Sequence, residues 1–436
     1  MIQNLIKRLD EATCSFCAVK TIRTELEEKG YKELKESEKW DLKPGDRFFV
    51  EKNNSAIFAF HVGKESPDKS GFRIIASHSD SPCFKLKPDP EIYAENGLVF
   101  LNVEKYGGGI MYTWFDRPLS LSGRVTVKGK DSFSPKSAVF DLKKPIATIP
   151  HLAIHFNRSV NEGNPLSVQK DMRPVIGRFS TEEINNYRKS GGIIKSLIAS
   201  HLMIRPEDIL GMEAVLYPCE KARIIGVNGE FIQSGRIDDL SMAFTSLEAL
   251  LNSDAERGIC DSTKVVAVFD NEETGSATKQ GAHSPVLKNI LHRICLCLNP
   301  DENDAFYRAV SRSFIISADD AHAFHPSYAG KYDINTHPAI GGGPVIKINA
   351  NSKYMTDSHG AAVFRDLCNR AGVSCQYFVN HGDVPGGSTL GNISTSQLDV
   401  PGVDMGCAIW AMHSAAETAS VRDHQDTEKV FRLFFA

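Results

Sequence analysis

The chain is 436 residues long, 42% apolar, 24% charged and only 9% aromatic, a composition that fits two or three globular domains and excludes a disordered, collagen-like or coiled-coil protein. Its 50 Lys and Arg stand against 54 Asp and Glu for a net charge of -4, so no global positive field draws it onto nucleic acid or an anionic membrane, and a small-molecule or peptide partner is expected. Lys7, Arg8, Asp10 and Glu11 interrupt the opening stretch before an export-signal core could form, and no run approaches about 18 consecutive apolar residues, which predicts a non-exported, cytoplasmic protein without a membrane span.

The first 30 residues carry helical periodicity. Cys14 and Cys17 form a lone C-x-x-C there; with no second pair for a zinc ribbon and a helical context, they read as core or half-buried thiols among ten scattered cysteines. RFFVEKNNSAIFAFHVG then reads as two alternating strands joined at Asn53-Asn54, and FRIIASHSD as a buried strand. From about Lys87 to Phe231 the texture changes to short alternating pieces, LVFLNVEKY, LSLSGRVTVKG and KARIIGVNGEF, broken by glycines at 107 to 109 and by a polar stretch from Asn161 to Ser190 that predicts a mobile loop.

After Ser234 strands and helices alternate again. LSMAFTSLEALLN places Leu240, Ala243, Phe244, Leu247 and Leu251 on one helical face, VVAVF reads as a buried strand, and FIISA, PVIKIN and CQYFV follow, separated by helical stretches such as SHGAAVFRDLCNRAG. The expected architecture is one discontinuous α/β domain with a mixed sheet between helices, residues 1–86 and 233–436, interrupted by a mainly β insertion at 87–232.

Polar residues gather where the apolar strands end, the place at which open α/β sheets put their ligands. FRIIAS runs into His78-Ser79-Asp80, GRI into Asp238-Asp239, VVAVFD into Asn271-Glu272-Glu273, and FIISA into Asp319-Asp320-Ala321-His322; CAIWAM leads to His413. Each cluster alone is ordinary turn chemistry. Brought into one cleft, the carboxylates would repel one another unless cations held them, and histidine nitrogen with carboxylate oxygen suits zinc, cobalt or manganese. In each doublet, Asp238-Asp239 and Asp319-Asp320, either member could be the ligand. Of the adjacent Glu272 and Glu273, one can bind metal while the other handles protons. Lys347 interrupts the apolar strand PVIKIN: in a pocket beside the metals its ammonium would recognise an acidic side chain, whereas on an edge strand it would face water.

The segments S-H-x-D at 77–80, R-I-D-D at 236–239, D-N-E-E-x-G-S at 270–276, S-A-D-x-A-H-A-x-H-P at 317–326 and M-H-S at 412–414 together resemble the aspartyl aminopeptidase family of dinuclear metallopeptidases, which includes the yeast vacuolar aminopeptidase. H-L-A-I-H at 151–155 and P-G-G-S-T-L-G at 385–391 extend the likeness in the right order through nearly the whole chain.

The resemblance implies two divalent ions per chain, zinc in the first place with cobalt or manganese as alternatives, held by His78, Asp238, Glu273, Asp319 and His413, with Asp238 bridging. It further implies Glu272 as the catalytic base for a metal-activated water, His322 as oxyanion donor, and Asp80 orienting His78. Lys347 and the residue aligned at Tyr354 would line the substrate pocket, implying removal of N-terminal Asp or Glu from peptides with a free amino terminus. His155 would reach a neighbour's active site, with the insertion making dimers that assemble into a tetrahedral dodecamer. The rival readings are a dinuclear aminopeptidase of neutral or broad specificity, an N-acyl amino acid deacylase, and a non-catalytic assembly protein that keeps the fold.

Overall fold

A computed structural model describes residues 1–253 and 258–436. By its internal contacts the chain divides into two compact units, one of residues 1–80, 222–412 and 417–436, the other of residues 81–221 and 413–416.

The first unit is built on a nine-stranded mixed sheet in the order Lys32–Glu33, Arg47–Lys52, Ala56–His61, Thr263–Phe269, Phe72–His78, Phe314–Ala318, Gly402–Gly406, Val345–Lys347, Gln376–Phe378. Its centre is parallel, from Thr263–Phe269 through Phe72–His78 and Phe314–Ala318 to Gly402–Gly406. Side chains of period two feed two cores. Val266, Val268, Ile75 and Ile316 pack on one face against the helices Ile2–Glu11, Ser15–Glu28, Ile237–Asn252, Ser358–Arg370 and Val421–Phe434. Val265, Ala267, Ile74 and Ile315 pack on the other against Val286–Leu298 and Ala305–Ser311. Burial on both faces explains why these strands read as continuous apolar runs; Ala56–His61, expected to alternate, is buried along its whole length for the same reason.

The helical opening is two helices, with Cys14 at the N-cap of the second and both Cys14 and Cys17 buried. All ten cysteines are free thiols. Gly360, near the start of Ser358–Arg370, lets that helix approach Gly402: a Cβ at Gly360 would lie 2.0 Å from the Gly402 carbonyl oxygen. Gly360→Ala is therefore expected to destabilise the protein by about 1–3 kcal/mol, the usual range for overpacking, read as a lowered midpoint in urea unfolding.

The second unit carries a six-stranded antiparallel sheet in the order Lys136–Asp141, Leu119–Val127, Ile209–Pro218, Cys83–Tyr93, Leu98–Tyr106, Val175–Arg178. The helix Ile193–Leu202 contributes Ile194 and Ile198 to its core. Two expectations are revised. The polar stretch 161–190 is not a featureless loop: it contains the edge strand Val175–Arg178 and the helix Thr181–Lys189, started by a capping box in which Ser180 and Glu183 satisfy each other's backbone N–H. The S-x-x-E spacing was the legible signal for it. Within KARIIGVNGEF, placed in the insertion by its alternation, Arg223–Ile225 instead forms a three-stranded sheet with Phe231–Ser234 and Glu417–Ser420, inside the first unit. No described helix is long and apolar enough to cross a membrane.

Candidate metal centre

His78 is the last residue of Phe72–His78 and pairs across the sheet with Phe269, the last residue of Thr263–Phe269. Ser317 pairs with Ala76, so Asp319 leaves its strand at the same edge. Parallel pairing thus carries three separate segments to one line. Asp238 and Asp239 arrive differently. GRI is not a strand end: Arg236 turns left-handed (φ 61°), and the two aspartates, joined by a cis peptide, have non-helical backbone (ψ 111° and 16°) just ahead of the regular part of Ile237–Asn252, whose N-terminal dipole favours negative charge.

His78, 1% exposed, is the hub. Its Nε2 lies 3.5 Å from Asp238 Oδ1 and 4.0 Å from Glu272 Oε2. Ligand-type atoms of His78, Glu272 and Asp319 all lie within 4.8 Å of one another, as do those of His78, Asp238 and Asp239. On the opposite side of the ring, Nδ1 lies 3.0 Å from the Asp80 carbonyl oxygen and 3.3 Å from its Oδ1. The same Asp80 carboxylate accepts the backbone N–H of Glu272 (3.1 Å) and of Glu273 (3.2 Å). One side chain thereby ties the histidine to the loop carrying both glutamates. That loop begins at left-handed Asn271, whose Oδ1 accepts from Thr278 and Gln280, each at 2.8 Å.

The second members of the doublets also accept hydrogen bonds from protein donors. Asp239 Oδ2 accepts the His78 backbone N–H at 3.0 Å, and Asp320 Oδ2 accepts the Ser241 hydroxyl at 2.7 Å. Glu417, unmarked by any periodicity and missed in the sequence, is buried and accepts the N–H groups of Ile237 (2.6 Å) and Asp238 (3.2 Å), anchoring the turn that presents Asp238.

Charge in this cleft is strongly negative. Burial, reinforced by Asp319, Glu273 and Asp80 and opposed by His78, pushes Glu272 up to about 9. Burial and the neighbouring carboxylates raise Asp239 and Asp320 well above the carboxylate range, and Asp270 to about 7. For His78, burial favours the neutral ring, but Asp239, Asp238 and Asp80 outweigh it and raise the pKa well above the ordinary value. The Oδ1 atoms of Asp239 and Asp320 are buried without a hydrogen-bond donor among the described residues. Crowded carboxylates and one imidazole are a donor set that fits a divalent cation with nitrogen and oxygen preference, zinc included.

Lys347 lies on a strand flanked on both sides, by Gly402–Gly406 and Gln376–Phe378, so the water-facing edge reading does not apply; it is 3% exposed. Its Nζ is 2.8 Å from Asp319 Oδ1 and 5.7 Å from the Tyr354 ring centroid. Tyr354 packs on Phe378 (6.5 Å between centroids) and Phe378 on His322 (5.6 Å), a continuous wall from Asp319 to His322. Asp404, also missed, is fully buried and anchored by Thr389 (2.7 Å) and the Met355 N–H (2.6 Å). His413 and His155 belong to the second unit. His413 is half-buried with a left-handed backbone (φ 68°), and His155 is exposed on the turn Ile154–Phe156.

A mixed α/β sheet whose central strands deliver an imidazole and carboxylates to one edge is the arrangement of a metal-dependent hydrolase. The sequence matches the family described as aminopeptidase I zinc metalloprotease (M18) over residues 8–435. It is 43% identical over 431 residues to a probable M18 family aminopeptidase 2 of Clostridium novyi, covering 99% of this chain and 97% of the relative. The fold matches the solved complex of Ape4 and Nbr1 (TM-score 0.94, 34% identity, 99% of this chain and 85% of that one) and the S. cerevisiae mApe1 dodecamer (TM-score 0.86, 26% identity, 99% and 95%). The chain belongs to the M18 family of zinc metallo-aminopeptidases and is a hydrolase.

Proposed function

We propose that this M18 enzyme removes N-terminal Asp and Glu from peptides, and that His78, Asp238, Glu273, Asp319 and His413 would hold two metal ions, Asp238 serving as a ligand to both. The observation that carries the reading is the convergence of His78, Asp238, Glu272 and Asp319 around one imidazole. The first members of the doublets are taken as ligands from the family pattern; Asp239 and Asp320 accept hydrogen bonds from His78 and Ser241, as Asp319 does from Lys347. Asp80 holds the His78 ring and the glutamate loop together.

Zinc, when bound, supplies Lewis-acid polarisation of the scissile carbonyl and positive charge that returns Glu272 to its ionised form. Glu272 accepts a proton from the attacking water and hands it to the departing amine. His322 donates to the oxyanion as the tetrahedral carbon forms. The carboxylate-rich floor attracts the substrate's amino terminus. Lys347, in a wall with Tyr354, receives the acidic side chain of the first residue. A substrate carboxylate would share the ammonium that now faces Asp319.

Initial rates on Asp-, Glu-, Leu- and Ala-anilides test the specificity. Acidic substrates are expected to lead in kcat/KM by at least about tenfold, a difference of about 1.4 kcal/mol in transition-state binding. Equal rates would leave the neutral or broad aminopeptidase. Lys347→Met should erase that lead while changing the Leu and Ala rates less than about threefold; a uniform fall with lost zinc would mean that the lysine serves only Asp319.

The second unit is proposed as a dimerisation domain, with His155 reaching a neighbour's site, and the dimers as parts of a tetrahedral dodecamer. Leu152, Ile154 and Phe156, exposed around His155, form the apolar surface that such a contact would cover. A monomeric mass in light scattering at working concentrations would rule this out.

A further inference from the structure

At the end of the central strands opposite the carboxylates, the first unit contains a cavity of about 610 Å³. Its lining divides by chemistry. Val363, Leu367, Pro401 and Phe434 form an apolar side, while Arg73, Arg312, Arg370 and His359 bring polar heads. The acidic side chain on the lining, among the described residues, is Asp261.

The two central arginines have donors without a carboxylate partner among the described residues. Arg73 is half-buried, and burial lowers its pKa; its Nη1 donates to the carbonyls of Arg312 (3.2 Å) and Phe72 (3.5 Å), and no carboxylate pairs with it among the described residues. Arg312 donates through Nε to the Asp68 carbonyl at 3.1 Å, and among the described residues no carboxylate pairs with the Nη groups of its fork. Guanidinium forks bind phosphate or carboxylate oxygens in pairs, and a partly desolvated one without a counter-charge gains most from such a partner. The volume exceeds what an inorganic ion needs and falls in the range of small-molecule sites.

We propose that this cavity is a binding site for a small organic anion, with a phosphate or carboxylate head on Arg73 and Arg312 and an apolar body against Val363, Leu367 and Phe434. The site stands apart from the metal centre in chemistry and place. Arg73 lies near the start of the strand that ends in His78, and Arg312 precedes the strand that leads to Asp319.

Calorimetric titration of the zinc-loaded protein with phenyl phosphate, benzoate and inorganic phosphate at matched ionic strength tests this. Phenyl phosphate or benzoate should bind saturably at one per chain and more tightly than inorganic phosphate, the better of the two identifying the head group. Arg312→Gln, on the surface and safe for folding, should weaken that binding at least about tenfold, and Val363→Trp should weaken it by filling the apolar side. An anion seated on the metals would be indifferent to both changes. No saturable binding of either organic anion, or affinity unchanged in both variants, overturns the proposal.

Discussion

Glu272→Gln is expected to lower kcat by about 10²–10⁴ while zinc content and subunit assembly stay as in the parent enzyme. The amide keeps the shape of the side chain and a hydrogen-bonding oxygen, but it cannot take a proton from water. Asp80 still holds the backbone of residues 272 and 273, so the loop keeps its place. If Glu272 were instead a metal ligand, the substitution would lower zinc stoichiometry along with activity. Metal analysis beside steady-state kinetics separates the two, and near-normal turnover would remove Glu272 from the base role.

The second large effect concerns zinc and pH together. In metal-free protein the folded-state pKa of Glu272 stands at about 9, above its ordinary value, because burial and neighbouring carboxylates disfavour the charge; Asp270 stands at about 7 for the same kind of reason. The folded state then holds protons that the unfolded chain releases, so stability falls as pH rises from the ordinary carboxylate range toward those values. His78 acts in the same direction: its raised pKa contributes stability below its ordinary value that disappears as pH rises through the folded value. Chelated protein should therefore lose thermal stability steadily between about pH 5 and pH 9. Zinc should remove most of that slope, because the cation compensates the charges whose repulsion produces it, and should raise the melting temperature most at the alkaline end. Scanning fluorimetry across this range, with and without zinc, reads both effects. A chelated protein as stable at the alkaline end as at the acid end would contradict the negative cleft.

Much of the acidic cleft was legible because parallel strands announce themselves. A strand buried on both faces is a short apolar run, so its polar successor stands out, and that is how His78, Glu272 and Asp319 were found. The match of FIISA and VVAVF to real strands follows from the same burial. The Asp238-Asp239 pair stood out as polar residues after G-R-I, while its setting was misread: R-I looks extended, whereas Arg236 is left-handed and both aspartates sit in non-helical backbone ahead of a helix. Glu417 and Asp404 left no trace, since a buried carboxylate that accepts backbone N–H groups needs no neighbour in sequence to mark it. The helix Thr181–Lys189 was overlooked in a polar stretch because it has no buried residue to create periodicity.

Local order along the chain determined the strand runs, the polar residues that follow them, the change of texture near residue 87 and the ordered motifs of an M18 peptidase. Those features depend on burial and alternation, which each segment carries within itself. The tertiary structure alone decided that Asp239 accepts from the His78 backbone and Asp320 from Ser241, that Lys347 is enclosed against Asp319, and that Asp80 and Glu417 anchor the turns bearing the acidic residues. Such choices rest on distances of about 3 Å between groups far apart in the chain, which only packing sets.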